Sequence, residues 1–126
     1  MSYTAVTQIG TDHLEWSKKV DFYEEEFDIL QKRLEEIAGK NNGREVMAGV
    51  EHFQNQFTIQ RNNIDELRHS INEHAGKVSA DAKKHVGKME TGLVGEHKQL
   101  KDRVRIFEKV VNDLRQEFNV FLAKWM

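Results

Sequence analysis

Large apolar side chains recur along this chain in steps of four and three. The first run is Trp16, Val20, Tyr23, Phe27, Leu30, Leu34 and Ile37. The second is Val46, Val50, Phe53, Phe57, Gln60, Ile64, Leu67, Ile71 and His74, and two of its members are polar. The third is Leu100, Val104, Phe107, Val111, Leu114, Phe118, Phe121 and Trp125, and traced backwards it passes through His97, Leu93, Glu90 and Val86. A repeat of about 3.5 residues marks helices that pack along a seam. Nothing alternates with period two over six residues, so no strand is predicted. The pattern predicts an all-α fold: a single-domain, elongated antiparallel bundle of three long helices with coiled-coil-like packing, covering residues 1–126.

Punctuation residues set the boundaries at roughly 12–39, 43–75 and 79–125. Asp12 with Glu15 resembles a capping box. "GKNNG" (Gly39 to Gly43) ends the first helix, because glycine and asparagine accept the left-handed conformation found at helix C-termini. Gly76 and "VSAD" mark the second turn. Gly87, Gly92 and Gly95 each cost about 1 kcal/mol in a helix interior relative to alanine. A kink or break near Gly92–Gly95 is therefore an alternative, with residues 96–126 folding back as the fourth helix of a monomeric bundle. The repeat holds its phase on both sides of these glycines, which favours a continuous helix. The chain has no proline to interrupt any of the three.

These boundaries make the third helix the longest. With tight turns, Phe57 pairs with His97, and the third helix overruns the first turn. Val111, Leu114, Phe118, Phe121, Leu122 and Trp125 are then left without cover. Each such side chain gains about 1.5–3 kcal/mol on burial, so a second copy of the chain is the expected cover, as a homodimer. Phe22 and Ile29, on one side of the first helix away from the seam, form a second candidate contact surface.

The polar seam members predict chemistry. Tyr23, Gln60 and His97 fall near one level and are expected to form a buried hydrogen-bonded layer that fixes register. The stretch "EHFQNQFTIQRNNIDELRHSINEH" (51–74) contains a Glu-x-x-His unit, Glu66 to His69. Carboxylate-bridged dimetal bundles use two such units aimed inward. Here there is one, and its phase points it away from the seam. A weaker candidate is the histidine-rich end: His13, His74 and His85, with Glu73 or Asp81, offer ligands of the kind zinc or nickel takes. Histidines at a wet, frayed bundle end need no metal to explain them. The spacings set no group of inward histidines at one level, so no metal and no cofactor are assigned.

Composition narrows the rest. The net charge is −2 and the sequence contains no cysteine, which excludes disulfides, thiolate catalysis and cysteine-based zinc sites. No stretch reads as a signal peptide or membrane span, so a cytoplasmic location with no membrane partner is expected. Residues 1–40 hold 5 basic and 9 acidic residues, against 8 and 4 in residues 77–105. Facing helices can neutralise each other with that imbalance. Nucleic acid is not expected as a partner, since aromatic interleaving is missing from the basic stretch.

The stretches "DHLEWSKKVDFYEEEFDILQKRLEEI" and 51–74 resemble uncharacterised helical proteins of Bacteroidetes-type bacteria, over about the first 75 residues. The resemblance implies a bacterial, cytosolic protein and no catalytic residues. Together these readings predict a non-enzymatic protein–protein interaction or scaffold protein that self-associates through its last helix. The alternative is a small metal- or ligand-binding bundle using His13, His74 and His85.

Overall fold

The computed structural model describes residues 3–84 and 91–126. Three helices pack against one another: α1 (Tyr3–Lys40), α2 (Arg44–Lys84) and α3 (Thr91–Trp125). No strand occurs among the described residues, and none of the helices is long and apolar enough to cross a membrane. The predicted all-α bundle is the observed one.

The seam explains why these residues form one core. Every member of the first run is buried, as is every member of the second run except half-buried Val50. Phe27, Phe53, Phe57 and Phe118 interleave at one level, with ring centroids 5.1–5.6 Å apart for Phe27–Phe57, Phe57–Phe118 and Phe53–Phe118. These edge-on contacts suit the ring quadrupoles and add to the stabilisation from area alone.

Ion pairs report the register. Arg61 meets Asp28 at 2.9 Å, and Arg68 holds both Asp21 and Glu24, which sets α2 antiparallel to α1. Lys19–Glu108 (3.3 Å) and Arg115–Glu26 (3.0 Å) set α3 parallel to α1. Lys124–Glu45 (2.7 Å) ties the end of α3 to the start of α2. The acidic first helix thus finds its cations on both neighbours. Exposed pairs of this kind contribute about 0–1 kcal/mol each, so they mark alignment more than they supply stability.

Three boundaries differ from expectation. Asp12 does not begin a helix, because α1 runs a further two turns towards the N-terminus. Ile9, four residues before His13, continues the seam and is buried. Nor does α2 end at Gly76. Val78 and Asp81 extend its repeat and are buried, while Gly76 sits on the open side with no atom near its missing Cβ. α2 therefore continues to Lys84, and α3 is described from Thr91, not from 79. α3 is continuous through Gly92 and Gly95, so the four-helix alternative does not occur.

The late turn slides α3 along its partners. Phe57 meets Phe118, not His97, and α3 ends level with the start of α2. There is no overrun. Val111, Leu114 and Phe118 are buried within their own chain, Phe121 and Leu122 are partly buried against the same core, and Trp125 is half-buried. The mismatch from which self-association was inferred is removed. Phe22 and Ile29 stay as read, at 53% and 55% exposure.

Candidate metal centre

The sliding of α3 brings three histidines together, one from each helix. His13, His74 and His97 all occupy seam positions and are 9%, 3% and 7% exposed. One ring nitrogen from each lies within 4.8 Å of the others. The layer beyond them is Ile9, Val78 and Leu93, a small apolar cluster separate from the main core. On the inner side Trp16 stacks on His97, with centroids 4.7 Å apart and planes 29° from parallel. The cluster is thus enclosed by apolar side chains on both sides along the bundle axis.

Hydrogen bonds fix most of the ring orientations. A carbonyl only accepts, so Nε2–H of His74 donates to Leu93 O at 3.0 Å. That leaves His74 Nδ1 facing His13 Nε2 at 2.8 Å, where Nδ1 accepts a hydrogen bond from His13 Nε2–H. His97 Nε2–H donates to Asp12 Oδ2 at 2.8 Å. Nδ1 of His97 is buried and has no hydrogen-bond partner. A proton on that atom would be an unsatisfied buried donor, costing about 1–3 kcal/mol, so Nδ1 carries a lone pair.

The electrostatics favour a neutral ring at His13. Burial pushes His13 down to about 4, and any positive charge on His74 or His97 adds to this, against a smaller opposing pull from Asp12. At neutral pH His13 is an uncharged imidazole. Burial by itself would raise the Asp12 carboxyl, but hydrogen bonds from His97 and Gln8 outweigh it and hold Asp12 below its usual value.

Several expected groupings do not form. His97 does not join Tyr23 and Gln60. Tyr23 packs edge-on against Phe107 at 5.6 Å, and Gln60 accepts from Asn63 at 3.1 Å. All three are buried as expected, but the late turn moves His97 to another level. Of the predicted histidine end, His13 and His74 meet and His85 lies outside the described residues. Glu73 stays on the surface with His69 (3.3 Å) and Lys77 (3.8 Å), so it is not part of the cluster. Asp81 is buried one seam step beyond Val78. Glu66 and His69 lie exposed on the outer face, as their phase requires. Contrary to the spacing, three inward histidines do share a level. The third of them is His97, and the signal for it was the unbroken repeat through Val78 and Asp81.

The donor set fits a transition metal. Zinc–imidazole bonds of about 2.0–2.1 Å place ligand nitrogens about 3.4 Å apart in a tetrahedron. Admitting an ion parts His13 and His74 by about half an ångström, a small move for side chains at the end of a bundle, and shifts the His13 proton from Nε2 to Nδ1 so that Nε2 can ligate.

Comparison of the chain with protein-family models, with curated proteins and with solved structures returned no match.

Proposed function

We propose that this protein binds one divalent transition-metal ion per chain, with zinc the first candidate, in the layer formed by His13, His74 and His97. The observation that supports the reading is the convergence of three buried imidazoles from three helices, one with an unpartnered nitrogen. Neutral imidazole suits zinc, copper and nickel, and the absence of cysteine argues against ions that demand soft thiolates. The carboxylate of Asp12 offsets part of the ion's charge in this apolar setting. The role proposed is binding, at a site with apolar layers on both sides along the bundle axis.

Titration of purified protein with zinc, and with cobalt as a spectroscopic substitute, tests this. The expected result is one ion per chain at micromolar concentration, lost in His13→Ala, His74→Ala and His97→Ala and kept in His69→Ala. Circular dichroism identifies any variant that has simply unfolded. No stoichiometric uptake by the parent chain, or equal loss in His69→Ala, overturns the proposal.

Contact with a partner protein, a second copy included, is the other reading. It is favoured by Phe22 and Ile29, exposed one heptad apart, and by an open groove beside Ile29 lined by Leu122 and Met126. Light scattering of the parent chain and of Ile29→Ser tests it. A mass near 15 kDa for the parent, that of one chain, excludes self-association.

A further inference from the structure

We infer that Asp12 is the positioning residue of this centre: its carboxylate accepts a hydrogen bond from His97 Nε2–H and so commits that ring to presenting Nδ1 to the ion. The inference rests on the metal-binding reading above and adds a residue that contributes no ligand atom.

Four observations carry it. The Asp12–His97 hydrogen bond is 2.8 Å long, and the Asp12 side chain is only 15% exposed. The second carboxylate oxygen is also engaged, accepting from Gln8 Nε2 at 3.0 Å one helical turn away, so the group is held in place. Trp16 stacked on the imidazole fixes the plane of the His97 ring, but a stack cannot distinguish the two ring nitrogens. Only the bond to Asp12 decides which nitrogen carries the proton and which is left unpartnered.

Helix geometry makes this division of labour available. Successive residues lie about 100° apart around a helix axis. His13 occupies the seam and reaches α2, while Asp12, one residue earlier, flanks it and reaches α3. The neighbouring histidine shows the same logic with a different acceptor: Leu93 O holds Nε2–H of His74 and leaves Nδ1 to the centre. Metal-ligating histidines commonly donate their other N–H to a carboxylate or backbone carbonyl, which fixes the tautomer and strengthens the ligand. Here one histidine has each kind of acceptor.

The experiment compares the parent chain with Asp12→Ala and Asp12→Asn. Zinc affinity is measured against a competing chelator, cobalt spectra report the ligand set, and nitrogen-resolved NMR of the metal-free protein reports the His97 tautomer. The expected result is a ten- to hundred-fold weaker zinc affinity in Asp12→Ala. Asp12→Asn keeps an acceptor oxygen and recovers most of that loss. Cobalt bands stay in place in both variants, because Asp12 is not a ligand. The His97 Nε2–H signal is present in the parent and lost in Asp12→Ala. Undiminished zinc affinity in Asp12→Ala, shifted cobalt bands, or an Nδ1–H tautomer in the parent overturns the assignment. Failure of the parent itself to take up metal overturns the metal reading instead, so the two outcomes are distinct.

Discussion

The two ends of this bundle use the same seam for opposite purposes. Around Phe57 it is filled by phenylalanines from all three helices. At His74, 17 residues or about 25 Å further along α2, it is filled by histidines from all three. Both layers are buried and both lie on the 3.5-residue repeat. The phenylalanine layer needs only shape, since apolar burial is non-directional. The histidine layer needs partners, because each imidazole nitrogen taken from water must find a donor, an acceptor or an ion. A position on a seam therefore fixes that a side chain is buried, and the residue type decides whether burial stabilises outright or only with a partner.

Four measurements break or sharpen that contrast. The largest effect belongs to the aromatic layer. Phe57→Ala loses about 3–5 kcal/mol in urea unfolding, because its neighbours cannot collapse into the space. A loss below 1 kcal/mol would show that the layer is loosely packed. Acid comes next and acts on the other end. The folded His13 protonates near 4 and the unfolded one near 6.5, so between these values the unfolded chain binds the proton that the folded chain refuses. The His13 contribution to metal-free stability is constant above pH 6.5 and falls on acidification towards 4, by up to about 1.4 kcal/mol per pH unit. The depressed Asp12 carboxyl contributes stability above its unfolded value, and this is lost at still lower pH. Unfolding midpoints at pH 7, 5.5 and 4.5 check the slope, and His13→Gln flattens it.

His74→Leu is the third. It leaves the buried His13 Nε2–H without its acceptor, and costs the metal-free protein about 2 kcal/mol through that unpaired group. Paired with His13→Leu, much of that cost returns, because both polar partners are gone. The smallest effect is a matched pair of glycines. A Cβ on Gly49 would run into the Phe121 ring, whereas Gly76 has open space around it. Gly49→Ala destabilises by about 1 kcal/mol after the gain in helix propensity, and Gly76→Ala stabilises by about 0.5–1 kcal/mol. Thermal midpoints moving in the same direction would contradict the difference in packing.

The seam itself was fully legible. Its apolar members from Trp16 to Ile37 and from Leu100 to Phe118 are buried as the spacing requires. Phase is a local property, carried by each residue's place on its own helix. Level is not, because it depends on where the turn falls. Gly76 followed by a serine and an aspartate looks like a terminator, yet no side chain packs at Gly76 and the helix continues past it. The displaced turn moves the partner of Phe57 from His97 to Phe118, or about 30 Å along α3. That one shift accounts for the unformed Tyr23–Gln60–His97 layer, the absent overrun and the hidden histidine centre. His13 and His74 were recognisable because they lie across the first turn, which was placed correctly. His97 was recognisable as a buried histidine but not as their neighbour.

The wide sequence separation of the three histidines also bears on timing. His13 and His74 are 61 residues apart, and His97 is 85 residues from the aspartate that orients it. An extended nascent chain holds no two of these histidines within reach of one ion. Loading belongs after the chain has closed, and a cation from solvent must then pass the seal of Ile9, Val78 and Leu93 or the shallow groove where Glu73 and Glu96 flank His74. Entry through the sealed layer runs at the pace of helix-end breathing, slow and independent of ion concentration once the ion is plentiful.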